Sequence, residues 1–193
     1  MDRKEINQIV EALLFASPEP LTQSQVNSIF ERDLVDSELP DLKNIIADLK
    51  DQYNQNDNAF TIVQVASGYQ LVSRSEYEVF IRRLLKKSGR MALTNASLET
   101  LAIVAYRQPV NRFEIESIRG VDSSGVLRTL LSKNLIKIKG RDSGPGRPLL
   151  YNTTEKYLEY FGLSNLSEMP KLSELVDLEK SESPQDSQTN AFE

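Results

Sequence analysis

Four basic residues, Lys137, Lys139, Arg141 and Arg147, fall within about a dozen positions. Cations so spaced suit phosphate oxygens, and four such contacts would give a salt slope of about −4, the mark of weak, non-specific nucleic-acid binding. Just upstream, Arg128 and Lys133 accompany Ser123, Ser124 and Thr129, a set compatible with DNA contact. A solvated basic hairpin is the alternative reading of these charges. The run Gly140-Arg-Asp-Ser-Gly-Pro-Gly-Arg-Pro148 invites a phosphate-loop reading. It lacks the Gly-x-x-x-x-Gly-Lys-Ser/Thr pattern and lies between two strand-like runs, so a glycine-rich hairpin tip is expected instead.

Catalytic chemistry finds little footing. Glu114 and Glu116 are two apart and diverge on a helix, while Asp48 and Asp51 share a face beside Lys50. The chain has neither histidine nor cysteine. That removes an imidazole base, a Ser-His-Asp triad, a thiol nucleophile and the commonest soft metal ligands. A binding protein without catalytic residue, metal or cofactor is expected.

The elements that must position these residues come from an ordinary globular composition. Of 193 residues, 39% are hydrophobic and 26% charged, enough apolar material for a packed core in one or two domains. The net charge of −5 is unevenly spread. Residues 1–90 carry 11 basic and 14 acidic groups, residues 91–165 carry 10 and 7, and residues 166–193 carry 2 and 7. The last stretch is therefore expected to be an acidic, largely disordered tail, since Ser181 to Asn190 offers no apolar side chain to repay ordering. No signal peptide and no apolar run of about 18 residues is visible, so a soluble cytoplasmic protein without membrane contact is expected.

Periodicity supplies the order. Ile6, Ile9, Val10, Leu13 and Leu14 form one helical stripe, which Ser17-Pro18 ends. Thr22 and Gln25 make a capping box for a short helix carrying Val26, Ile29 and Phe30 inward. Pro40 opens a third helix with Leu42, Ile45, Ile46 and Leu49. Phe60–Val65 and Tyr69–Val72 alternate as strands about a Ser67-Gly68 turn, and Ser75 caps a helix from Glu76 to about Lys87.

Shifted by 89 positions, the chain lies over itself. Ala16/Ala105, Pro20/Pro109, Ser28/Ser117 and Ile29/Ile118 are identities, and Asn111 with Glu114 repeats the capping box. Asp122 then caps a helix through Val126, Leu127, Leu130 and Leu131, and Asn134 closes it. Strands at Leu135–Lys139 and Leu149–Asn152 and a last helix capped by Thr154 follow. The order helix, helix, helix, two-stranded wing, helix, used twice, predicts a mainly α fold with short β wings (α+β). Tandem winged-helix domains are expected at 1–88 and 91–165, with the tail at 166–193.

The segment Leu98 to Val121, with Glu11–Ala16, Gly140–Pro148, Leu150–Thr154 and Phe161–Leu163, closely resembles the segregation and condensation protein B (ScpB) family over roughly residues 5–172. The resemblance implies a homodimeric, non-catalytic subunit that binds the kleisin ScpA and, through it, the SMC ATPase in chromosome condensation and segregation. A nucleoid-associated cytoplasmic location follows, as does pairing through the first domain. Residues 5–30, with Ile6, Ile9 and Leu13, are the candidate dimer surface. A kleisin groove is expected on the second domain at Tyr106, Arg107, Gln108, Arg119, Arg147 and Tyr151, because Tyr and Arg are enriched in binding hot spots. The same tyrosines could instead complete the core, and the same arginines could serve loops. Weak DNA contact would fall to Arg128, Lys133, Lys137, Lys139 and Arg141. The competing function is a winged-helix transcription regulator reading DNA directly, against which the acidic helix after Pro40 argues.

Overall fold

The first helix, α1 (Arg3–Ala16), starts where Asp2 can cap it: the Asp2 carboxylate accepts from the Glu5 amide at 2.7 Å. It buries Val10 and Leu14, and Ile6, Ile9 and Leu13 pack half-buried beside them. The computed structural model describes residues 1–31, 40–85 and 93–171. Helix α2 (Gln23–Phe30) carries the expected capping box: the Thr22 amide donates to Gln25 Oε1, and the Gln25 amide to Thr22 Oγ1. Val26 and Phe30, one turn apart, face inward, whereas Ile29 points off that line and is 41% exposed. The inward placing of Ile29 is therefore corrected.

Helix α3 (Leu42–Gln55) is capped by Asp41, so Pro40 precedes the helix rather than opening it. Gln23 sets its position, donating to the Pro40 carbonyl at 2.9 Å and accepting from the Leu42 amide at 2.8 Å. Strands β1 (Phe60–Val65) and β2 (Gly68–Ser73) pair antiparallel. The turn residues are Ala66 and Ser67, with Ala66 at φ 49°, so Gly68 belongs to the strand. Its missing Cβ matters: one would sit 2.8 Å from the Leu21 carbonyl oxygen, where Leu21 pairs with Tyr69. After Ser73 the chain takes a 3-10 turn (Ser75–Tyr77) before α4 (Glu78–Leu85). Arg74, without a side-chain cap, holds the position expected of Ser75; Lys87 lies outside the described residues. Val10, Phe30, Leu42, Leu49, Tyr53 and Ile62 are among the residues of the first core.

The second half repeats the order around its own core. Helix α5 (Asn95–Arg107) is capped by Thr94, and α6 (Arg112–Arg119) by the Asn111–Glu114 box. Between them, β3 (Val110–Asn111) is a strand the periodicity did not reveal, being only two residues long. Val110 pairs with Tyr151, and Leu21, its counterpart 89 positions earlier, pairs with Tyr69; each hairpin thus gains a third strand-like partner. Helix α7 (Ser124–Ser132) follows Ser123. Asp122 stands one position before the cap and accepts from the Ser124 amide and hydroxyl, which corrects its expected place. Asn134, at φ 56°, ends α7: its amide reaches Leu131 O and the Leu135 amide reaches Leu130 O, a Schellman arrangement.

Strands β4 (Ile136–Arg141) and β5 (Leu149–Thr153) form the second hairpin, with a bulge between Ile138 and Gly140. Helix α8 (Glu155–Phe161) is capped by Thr154. The chain then turns through Leu166–Glu168, and Met169 packs on the second core beside the Tyr157 hydroxyl. Within the stretch expected as tail, Leu166–Glu168 form a 3-10 turn and Met169 packs on the second core; residues 172–193 lie outside the described residues. The architecture is α+β, helices with two small sheets and two cores. The hydrogen bonds joining the halves run from the Ala66 amide to Leu163 O (2.8 Å), from Ser164 Oγ to Gln64 O (3.1 Å) and from Ser67 Oγ to Glu155 (3.0 Å). No helix among the described residues is long and apolar enough to cross a membrane.

Candidate functional site

Helix α5 ends at Arg107, the chain reverses through Pro109 and β3, and α6 returns alongside. This reversal opens a groove of about 610 Å³ lined by Arg107, Val110, Phe113, Glu114, Ser117 and Ile118, with Asn111 at its base. Phe113 is 59% exposed and Ile118 55%, a large apolar surface for one short helix. Arg112 lies over the Phe113 ring at 5.3 Å and pairs with Glu116. Arg107 is exposed, and among the described residues its guanidinium has no hydrogen-bond or ion-pair partner.

Of the six residues expected to form the kleisin groove, Arg107 alone lines this one. Tyr151 is 7% exposed and belongs to the second core, because its strand position faces Val110 and Ile138. The Arg119 side chain is also 7% exposed; it donates to Ser123 Oγ at 2.8 Å and approaches Glu99 at 3.5 Å, bracing the α6–α7 turn against α5. Both are corrected from surface contacts to structural groups. The Gln108 side-chain Oε1 accepts from the Thr153 amide and hydroxyl at 2.7 and 2.9 Å, fixing the end of β5. Half-buried Tyr106 donates its hydroxyl to Pro170 O at 2.8 Å, a bond to this chain's own C-terminal segment. Arg147 is exposed on the hairpin loop at φ 43°. Phe113 and Ile118 escaped the sequence reading, although their apolar type on a helix rich in charge was a usable signal.

The first half carries a related groove. Leu13, Leu21, Gln25, Ser28 and Ile29 line it, and a shift of 89 positions carries Leu21, Gln25, Ser28 and Ile29 onto Val110, Glu114, Ser117 and Ile118. The repeat thus preserves a surface as well as a core.

The basic hairpin is less uniform than its composition. Lys137, Lys139 and Arg141 are exposed, as is Arg128 on α7, whereas Lys133 is half-buried. Lys139 is the bulged residue, so Lys137 and Arg141 are not on one face. Arg141 donates to the Arg147 carbonyl at 3.1 Å and braces the loop. Asp142 sits at the same tip, its carboxyl held below the usual aspartate range first by the Gly144 amide and then by the Asn111 side chain. Among the described residues no group of three or more acidic side chains is placed to hold a metal ion.

On the first half, Ile6, Ile9 and Leu13 are half-buried against the core rather than fully packed. Phe15, unnoticed in the sequence, is 81% exposed beside a groove with Ala12, Phe60, Leu71 and Val72. Below it, burial first and the Glu11 carboxylate second push the Tyr53 hydroxyl upward; it donates to Glu11 at 2.7 Å. Arg3 clasps Asp48 through two nitrogens, holds its carboxyl low, and ties α1 to α3.

Residues 8–172 match the family described as segregation and condensation complex subunit ScpB. A relative named segregation and condensation protein B, from Syntrophotalea carbinolica, is 44% identical over 180 residues, covering 93% of this chain and 88% of its own. The chain belongs to the ScpB family. Among solved structures, ScpB from Mycobacterium tuberculosis is 31% identical, covering 85% of this chain and 99% of its own, at a TM-score of 0.39. A second is a dimer of the ScpB N-terminal domain complexed with ScpA peptide. It is 26% identical over 42% of this chain and 95% of its own, at a TM-score of 0.35.

Proposed function

We propose that this ScpB-family chain is a non-catalytic, architectural subunit of an SMC complex. It binds a ScpA-like kleisin and, through it, the SMC ATPase, supporting chromosome condensation and segregation. The observation that carries this reading is the family match over residues 8–172. The chain works as a cytoplasmic, nucleoid-associated homodimer of tandem winged-helix domains, 1–88 and 91–165. The first domain supplies the dimer contact through the α1 surface around Ile6, Ile9, Leu13 and Phe15. The second supplies kleisin contact through Arg107, with Phe113 and Ile118 as apolar anchors of the kind that carry binding energy, and Arg147 on the loop. Any DNA contact through Arg128, Lys137, Lys139 and Arg141 is weak and salt-sensitive.

A tagged chain drawn from native lysate, with and without nuclease, tests the assignment. A kleisin-like protein and a large SMC ATPase should remain after nuclease. Recovery of DNA alone, or loss of both proteins with nuclease, would instead make the chain a direct DNA reader. Arg107→Glu and Arg147→Glu should each weaken kleisin binding without unfolding, and unchanged affinity in both removes the proposed surface.

A further inference from the structure

Arg107 stands between two residues that both hold the C-terminal part of the described chain. Gln108 Oε1 accepts from the Thr153 amide and hydroxyl, just before Thr154 caps α8. The Tyr106 hydroxyl donates to Pro170 O at 2.8 Å, beyond the far end of α8. Between these two anchors the chain touches the first half. The Leu163 carbonyl accepts from the Ala66 amide at 2.8 Å, and Ser164 Oγ donates to Gln64 O at 3.1 Å. The seam therefore lies inside a stretch whose two ends are tied to the neighbours of one exposed arginine.

From the seam to Pro170 the chain is braced along its length. Gly162, at φ 68°, ends α8 in the left-handed region, and the Leu163 amide returns to Leu158 O at 2.9 Å. The Ser164 amide donates to Glu168 Oε2 at 2.7 Å, so the residue that touches the first half is bonded to one close before Pro170. Asn165 accepts from the Ser167 amide at 2.9 Å, and the Met169 amide reaches Leu166 O at 3.2 Å. Leu163 and Met169 pack on the second core, one near each end, and the Tyr157 hydroxyl donates to the Met169 sulfur at 3.4 Å. A run so cross-linked passes a displacement along instead of absorbing it by bending, which is what contiguous packing and hydrogen bonding must do to carry coupling between two sites.

We infer that residues 163–170 form a strap that couples the Arg107 corner of the second half to the seam between the halves, so that fixing or freeing that corner tightens or loosens the seam. Tyr106 anchors the strap at the corner, Glu168 braces its middle, and Leu163 with Ser164 delivers it to the first hairpin. A partner that grips Arg107 then also sets how firmly the halves are held. That Arg107 is the point gripped rests on the proposed function; the coupling itself does not.

Amide hydrogen exchange of the full-length chain, read by NMR, tests it without any partner. Tyr106→Phe removes the anchoring hydroxyl and keeps the ring. The Ala66 amide should then exchange about threefold faster, within the roughly fivefold that one hydrogen bond is worth. Leu49 and Leu130, buried in the first and second cores, should keep their rates. Linkage makes the coupling reciprocal, so Ser164→Ala, a change at the seam, should quicken the Met169 amide by a similar factor. In a Glu168→Ala background the brace is cut, and adding Tyr106→Phe should leave Ala66 unchanged. An Ala66 rate unmoved by Tyr106→Phe overturns the proposal, whether or not Met169 responds, since the strap then transmits nothing. Equal quickening at Ala66, Leu49 and Leu130 overturns it too, as general destabilisation. An effect of Tyr106→Phe that persists in the Glu168→Ala chain overturns the strap as the route. Loss of kleisin binding would bear only on the proposed function and would leave these exchange rates as they are.

Discussion

The Arg107 guanidinium lies in solvent beside Phe113 and Ile118, whereas that of Arg119 is enclosed by Ser123 and Glu99. Substitution should separate the two. Arg107→Glu is expected to leave the melting temperature unchanged and to cut kleisin affinity about tenfold or more, read by titration calorimetry. Arg119→Ala should cost about 1–3 kcal/mol of stability in denaturant unfolding, by stranding Ser123 and opening the α6–α7 turn. Asp142 offers a pH readout. Its folded carboxyl titrates below the ordinary aspartate range, so its contribution is present above that range and is lost as pH falls through the lowered folded value. The Gly144 amide resonance should therefore titrate with a midpoint below that of a free aspartate. A midpoint at the ordinary value would show that the hydrogen bond from Gly144 is not held in solution.

Helix ends repeat as faithfully as helix faces. Thr22→Ala and Asn111→Ala each remove a capping box and should each cost about 1 kcal/mol. The loss at Asn111 should be the larger, because its side chain also donates to Asp142 and ties α6 to the hairpin tip. Chemical denaturation of both variants checks the order. These caps were legible in the sequence because capping depends on neighbours three residues apart, as were the α1 and α3 stripes and both hairpins. What escaped was non-local. Two-residue β3 has no period to detect, and the pairing of Val110 with Tyr151 that buries the tyrosine is a tertiary event. For Arg119 and Tyr151 residue type left a surface anchor and a structural group both open, and burial favours the second. Gly68 looked like a turn residue, yet the close approach of the Leu21 carbonyl is what requires it.

At the scale of the molecule, two cores meet where the first hairpin tip touches the end of α8. Ser67→Ala with Ser164→Ala removes two hydroxyl donors from that seam without touching either core. Hydrogen exchange at the Ala66 amide should quicken while unfolding of both cores stays the same; unchanged exchange would mean that the seam does not depend on these hydroxyls. Polar bonds of this kind are each worth about 1 kcal/mol net, since water replaces them when they open. Three such bonds couple the halves by only about 3 kcal/mol, while each half keeps an apolar core of its own. A partner gripping both could swing one against the other for a small fraction of its binding free energy. The tip of a hairpin would then serve as a detent, giving the molecule a preferred resting angle that is easily left.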